Sequence, residues 1–359
     1  MMGTMGKGVK GRERVSQSAD RRLGRGACRG AGGRLLLASL ALGICLLAAG
    51  CTAQQPDIFR PGGSAGEEIR QLALQIFIIL SVVLATVWAL LAFVVLRYRR
   101  RPESEASQTR GNLKIEIVWT LIPAVIIVVL FILTVRTTQD LALPDSGAQF
   151  TVVGHQWWWE FDFADQGFAT ANEVHVAARR QVSADVVSTD VIHSFWVPQM
   201  GGKVDMIPGR VNRVSFVPLE EGRYLGECAE FCGAQHGKMR FLFVVDSPEE
   251  FSAWVRAQQQ PAAVPEGAEA RAGAAVIATV GCGGCHAVHG TSLEGTFGPD
   301  LTHFGSRGGI GAWALTNTPE NLLTWLQDPQ AVKPECLMPR VALPLAQQKQ
   351  LVAYLEELQ

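Results

Sequence analysis

Two uncharged apolar runs stand out along the chain. Residues 72–96 form a run of 25 without a charge, and residues 117–135 form a run of 19. Each predicts a helix long enough to cross a hydrocarbon core of about 30 Å. A shorter apolar run, 35–49, fits the h-region of an export signal and is too short for a comfortable span. Residues 52–70 between them are polar and turn-rich.

After Asp140 the pattern changes to short alternating stretches. Strands are predicted over 149–153, 157–163, 181–187, 211–217, 223–227 and 240–245, with Pro208-Gly209 marking a turn. Short strands at this spacing predict a Greek-key barrel or sandwich. Ser247-Pro248-Glu249-Glu250 supplies a cap, a first-turn proline and first-turn acids, so a helix is predicted over 248–260. Small residues with Pro261, Pro265 and Gly267 predict a linker over 261–272. Helices are predicted over 318–327 and 346–358.

Charge orients this plan. Residues 1–50 hold nine Lys/Arg and two acids, whereas the rest of the chain holds 23 basic and 31 acidic residues. A basic leader ahead of an acidic body reads as an export signal on an extracytoplasmic protein. Arg97, Arg99, Arg100, Arg101, Arg110 and Lys114 face only Glu103 and Glu105 between the two spans. By the positive-inside rule that loop is cytoplasmic, so both outer ends of the hairpin face outward. The leader ends in Leu47-Ala48-Ala49-Gly50-Cys51, which resembles a lipoprotein cleavage box. Lipidation at Cys51 and ordinary cleavage nearby both remain open. Arg21-Arg22 lacks the flanking residues of a twin-arginine signal.

The chemistry concentrates in Cys228-Ala-Glu-Phe-Cys232-Gly-Ala-Gln-His236-Gly-Lys-Met239. Two thiolates, an imidazole and a thioether are soft ligands that select copper. Gly233 and Gly237 break a helix here, so one loop folded around a metal is expected. A disulfide is the plainer reading in an oxidising compartment, but it requires neither the His nor the Met. His193 is the best candidate for a further ligand.

Further on, Cys282-Gly-Gly-Cys285-His286 is the attachment pattern of a c-type haem. Met338 is the expected sixth ligand, with His303 as the competitor; a thioether raises the potential relative to a second imidazole. Cys336 reads as a buried thiol without a role. In Gly154-His-Gln-Trp157-Trp158-Trp159-Glu160, neighbouring side chains on a strand point oppositely. The three tryptophans therefore cannot share one core, and Trp158 is the one expected to pack inside. Glu116, at the cytoplasmic start of the second span, is either a snorkelling charge or a proton-path residue.

At these residues the chain resembles subunit II of the haem–copper respiratory oxidases, whose loop reads Cys-x-Glu-x-Cys-x3-His-x2-Met after an upstream His. The resemblance implies a dinuclear copper A centre with Cys228 and Cys232 bridging. His193 and His236 would cap one copper each, with Met239 and the carbonyl of Glu230 as weak axial ligands. Quinol-oxidising relatives lack these ligands. It also implies that Trp157 receives electrons near the copper and that Glu116 stands at the mouth of a proton path. The Glu230 side chain would reach a magnesium ion shared with subunit I, beside Lys203, Asp205 and Arg210. Only Glu160, Asp162 and Asp165 supply negative charge near the tryptophans, too few for the acidic patch by which relatives recruit a soluble cytochrome c.

The implied architecture is multidomain: a two-helix transmembrane hairpin, a cupredoxin-like Greek-key β-barrel and a small all-α class I cytochrome c domain. Its expected boundaries are a signal peptide over 1–50 and an extracytoplasmic segment over 51–71. The hairpin follows over 72–136, the copper domain over 137–260, the linker over 261–272 and the cytochrome domain over 273–359. The implied function is a cytochrome c oxidase subunit, passing electrons through one covalent haem c and copper A to subunit I for oxygen reduction with proton translocation. Expected partners are subunits I and III, a cytochrome c or other donor, and the lipid bilayer, with no nucleic acid. The expected location is the bacterial plasma membrane, with both redox domains on the outer face. The copper subunit of a nitric oxide reductase is the alternative, and a copper-delivery protein is a third reading that leaves Met239, the tryptophans and the haem motif unused.

Overall fold

The computed structural model describes residues 57–98, 111–144 and 146–359. The leader, Cys51 and most of the basic loop between the spans lie outside the described residues.

Two long helices come first: α1, Ser64–Arg97, and α2, Leu113–Asp140. Both are apolar enough to cross a membrane and keep their apolar side chains exposed on all sides, as a helix facing lipid does. At about 1.5 Å per residue, the 34 residues of α1 exceed what a bilayer core requires. The surplus is its N-terminus, eight residues earlier than the expected span. Glu67 there holds Arg70 and Gln71, and the Gly66 N–H donates to the Met200 carbonyl at 3.0 Å. The helix start is thus tied to the β-domain. Asn112 caps α2 by accepting from the Lys114 N–H.

The β-domain holds ten strands: β1 Phe150–His155, β2 Trp158–Phe163, β3 Phe168–Ala171, β4 Glu173–Ala177, β5 Val182–Ser188, β6 His193–Trp196, β7 Val204–Met206, β8 Asn212–Phe216, β9 Gly222–Cys228 and β10 Arg240–Asp246. They form two five-stranded sheets, ordered β3-β2-β1-β5-β8 and β4-β10-β9-β6-β7. Alternate residues of each sheet meet in one core containing Val152, Trp159, Phe161, Phe195, Phe241 and Phe243. Full burial of each such side chain contributes about 1.5–3 kcal/mol. The cupredoxin-like expectation holds.

The six predicted strands are present within two residues at each end, whereas β3, β4, β6 and β7 were not predicted. Three of those are only three or four residues long. The fourth, β4, puts Glu173 and His175 where a half-buried strand normally shows solvent-facing polars. Trp159, fully buried, packs in the core, and Trp158 instead stacks half-buried on His155 at 4.2 Å. That corrects the expectation for Trp158: the inward face of β2 carries Trp159, Phe161 and Phe163, which places Trp158 on the other face.

Helix α3, Pro248–Gln258, has the expected cap and a full capping box between Ser247 and Glu250. The segment expected as linker is helical from Ala268, because α4, Ala268–Thr279, begins on its alanines. Glu357 accepts from the Glu266 and Gly267 N–H groups and ties this start to the C-terminal helix. The remaining helices are α5 Pro319–Gln327, the one-turn α6 Pro329–Val332 and α7 Leu345–Glu357. A second core, including Ile277, Phe304, Leu322, Leu351 and Leu355, lies among them.

Candidate copper and haem centres

Strand β9 ends on Cys228 and β10 begins at Arg240, so the copper-type loop joins two hydrogen-bonded neighbours. The Cys228 N–H donates to the Met239 carbonyl at 3.1 Å and closes its base, while the Ala229 N–H donates to the Ser194 carbonyl at 3.0 Å. The second bond holds β6, and therefore His193, against the loop. Six groups converge. The Cys228 and Cys232 sulfurs are 3.7 Å apart, far beyond a disulfide bond of about 2.05 Å. His193 Nδ1 lies 3.8 Å from Cys228 Sγ, and His236 Nδ1 lies 3.6 Å from Cys232 Sγ. Met239 Sδ is 3.8 Å from Cys232 Sγ, and the Glu230 carbonyl is 3.1 Å from Cys228 Sγ.

Each partner is fixed from behind. His193 Nε2 is 2.8 Å from Asp190 Oδ1, which turns Nδ1 toward the sulfurs. Burial alone would raise the Asp190 carboxyl, but hydrogen bonds from His193, Val191 and Gln156 outweigh it and hold it low. The hydrogen-bonded contact between the two sulfurs holds Cys228 far below the usual thiol range and pushes Cys232 up. Two close sulfurs beside two imidazoles and a thioether make a donor set suited to a soft cation. The Glu230 carboxylate points away from this cluster and pairs with Lys203 at 3.4 Å, largely exposed.

Gln156 and Trp157, in the turn between β1 and β2, both donate side-chain N–H groups to the Cys232 carbonyl, at 2.8 and 2.9 Å. Gly233 follows with φ +115°, in the region that favours glycine. A Cβ there would stand 3.0 Å from the Trp157 ring.

The haem-type motif lines a cavity of about 260 Å³ with largely apolar walls. Cys282, Cys285, His286 and Met338 face it from the cytochrome side, and Trp157 and Trp158 close it from the β-domain. The His286 Nδ1–H donates to the Pro299 carbonyl at 2.7 Å, which leaves Nε2 as the free lone pair. A Cβ on Gly298 would sit 2.7 Å from that ring, so glycine is required for the close approach. Met338 Sδ accepts from Trp325 Nε1 at 3.1 Å. His303 is turned elsewhere, 3.2 Å from the Gln258 and Gln260 carbonyls. Cys336 is half-buried on the cavity wall, contacted by Gln330 Nε2 at 3.3 Å, rather than enclosed as expected.

The residues fit a haem on a further ground. Arg307 lines the cavity with its Nε buried and unpartnered, and burial pushes its guanidinium down. An anionic group such as a haem propionate would answer that unpartnered donor. Sequence reasoning missed Arg307, since one basic residue in Ser-Arg-Gly-Gly carries no pattern. It equally missed Asp190, Gln156 and Lys333. Glu116 stands in the first turn of α2, half-buried and remote in sequence from both centres.

Comparisons with known proteins agree with this arrangement. The family model for the cytochrome c oxidase subunit II transmembrane domain matches residues 55–136. The model for that subunit's periplasmic domain matches 166–247, and the cytochrome c model matches 270–359. The first implies a membrane protein, the second a copper A site on the periplasmic side, and the third a haem. The cytochrome c oxidase subunit 2 of Alkalihalophilus pseudofirmus is 34% identical, over 83% of this chain and 89% of the relative. That of Bacillus subtilis is 30% identical, over 80% and 87%. The solved periplasmic domain of subunit II of Bradyrhizobium japonicum cytochrome oxidase is 30% identical, covering 33% of this chain and 97% of that one, with a TM-score of 0.32. With 34% and 30% identity over 83% and 80% of its length to the two curated relatives, this chain belongs to the family of cytochrome c oxidase subunit II, as a member with a cytochrome c domain at its C-terminus.

Proposed function

We propose that this subunit takes electrons from a donor through its cytochrome c domain, passes them to its copper domain and delivers them to subunit I of the oxidase. One observation carries the reading. Trp157 lines the haem-type cavity and also donates to the carbonyl of Cys232, so one side chain joins the two candidate centres. When bound, haem and copper supply one-electron storage at two neighbouring points. The chain's own residues hold, orient and enclose them.

In this reading Cys228, Cys232, His193, His236, Met239 and the Glu230 carbonyl would together hold the copper centre, which would supply one-electron storage there. Cys282 and Cys285 would anchor haem c, and His286 and Met338 would hold its iron. The placement of Met338 on the cavity wall and of His303 away from it supports that choice. Arg307 would take a propionate. Glu116 serves proton uptake into subunit I, and the Glu230 carboxylate completes a magnesium site with subunit I. Oxygen reduction and proton translocation belong to the assembled complex, with subunit III as a further partner. Domain limits are proposed as above, with the cytochrome domain starting at Ala268. Residues 1–50 act as an export signal to the bacterial plasma membrane, ending in lipidation at Cys51 or in ordinary cleavage nearby.

The test is spectroscopic. The full chain, purified with copper and haem, should show an oxidised EPR signal with one electron shared over two coppers, and a covalent c-type haem band. A single-copper, four-line spectrum, or haem extractable by acidified solvent, contradicts the reading.

A further inference from the structure

Lys333 lies between α6 and the Met338 segment, and only 2% of it is exposed. An ammonium group has three N–H donors, and all three are used. They go to the carbonyls of Trp157 at 2.6 Å, Lys238 at 2.7 Å and Gly311 at 2.9 Å. The three acceptors come from the tryptophan turn, the copper loop and the cytochrome domain. Lys238 answers from the opposite side, its Nζ donating to the Val332 carbonyl at 2.7 Å. The two lysines cross, each donating to the backbone at or beside the other. No carboxylate pairs with either among the described residues.

A buried ammonium without a counterion is costly unless its hydrogen bonds are made. Each charge-assisted bond contributes more than a neutral one, and the bonds from Lys333 to Trp157 and Lys238, with that from Lys238 to Val332, exist only while the two domains are docked. A general packing contact does not require a cation here; three converging carbonyls do. The cage also sits at a particular place. Lys238 is part of the copper loop, Trp157 bonds to that loop, and Lys333 precedes by five residues the methionine that faces the haem cavity.

We propose that Lys333, crossed by Lys238, is an interdomain latch that sets the position of the cytochrome domain on the copper domain, and with it the rate of electron transfer between them. Lys333 is a positioning residue, acting through Trp157 and the copper loop rather than touching a reacting atom. The inference rests on the electron-transfer reading given above. Neighbouring interdomain bonds depend on the same docking: Arg240 N–H to the Ala312 carbonyl at 3.2 Å, Gly308 N–H to Glu173 at 3.0 Å, and Trp313 Nε1–H to the Asn172 carbonyl at 3.0 Å.

The test uses the loaded, assembled oxidase carrying Lys333→Met, which keeps chain length and removes all three donors, and separately Lys238→Met. A flash-activated ruthenium tris-bipyridyl complex reduces the haem, and the return of its band reports transfer to copper. Lys333→Met should slow that step about tenfold, equivalent to about 1.4 kcal/mol in the barrier. Copper EPR and haem spectra should stay normal. Peptides containing Arg240 and Gly308 should exchange amide hydrogen faster. Lys238→Met should act in the same direction, and less. If Lys333→Met does not assemble, Lys238→Met decides: slower transfer with faster exchange supports the latch, and unchanged values overturn it. Normal transfer and exchange in Lys333→Met with intact spectra also overturn it. Absence of the two-copper signal or the haem band in the unmodified protein overturns the electron-transfer reading itself, and with it the latch's function.

Discussion

The indole N–H of Trp157 donates to the backbone carbonyl of Cys232 at 2.9 Å while the same ring lines the cavity faced by His286 and Met338. Removing the bond and keeping an aromatic ring isolates its part in electron transfer. Trp157→Phe should cost about 1 kcal/mol of stability and slow haem-to-copper transfer, measured after flash reduction, with both centres present. An unchanged rate would show that another path carries the electron.

The thiol pair can be separated from the haem. Cys232→Ser replaces a soft sulfur by a hard alcohol oxygen and leaves Cys228, His236 and Met239 facing it. The two-copper EPR signal should vanish, with haem bands intact, because the cytochrome motif shares no side chain with the loop. Chelating copper from the unmodified chain should have the same selective effect.

How much of this was legible before the structure depends on range along the chain. Cys228 to Met239 is a local constellation, and so is Cys282 to His286, so spacing alone exposed both. The spans and six strands were visible as long or cleanly alternating patterns. The short β6 was invisible, although it carries His193, and the phase of the tryptophan strand came out one residue off. Arg307 and Lys333 could not be found this way. Each is a lone cation among small or turn residues, and its partners lie up to 176 residues away, as for Lys333 and Trp157. Only folding brings the carbonyls to the ammonium.

Arg307 should show opposite effects with and without haem. In the haem-free chain its buried, unpartnered Nε is a cost, so Arg307→Met should raise the melting temperature of that form. In the loaded chain, loss of the cation removes stabilisation of the reduced haem. The potential should fall by tens of millivolts, about 59 mV being tenfold for a one-electron couple. A redox titration showing no fall would place the propionates elsewhere.

His175 gives the copper domain a pH signature. Burial alone would lower its imidazole, but Asp246 at 2.6 Å and Glu173 at 3.5 Å outweigh that and hold it above the ordinary value. The folded state therefore binds the proton more tightly than the unfolded chain, whose imidazole titrates near about 6.5. The stabilisation is full below about pH 6.5 and fades as pH rises through the raised folded value. His175→Gln should lose most stability at about pH 5.5 and least at about pH 9, read from denaturant midpoints across pH. An equal loss at both would assign His175 to packing on Trp254 alone.

The central claim is an order: the cytochrome c domain receives the electron before the copper domain. Covalent attachment holds the two at an effective concentration on the order of millimolar or more, and the sparse acidic residues near Trp157 give a soluble donor little long-range attraction. The most direct measurement is rapid mixing of the intact oxidised enzyme with its native donor, following the haem and copper bands separately. The haem band should be reduced first, with the copper band following at the internal transfer rate. Copper reduced first, or both at independent rates set by donor concentration, would contradict the account.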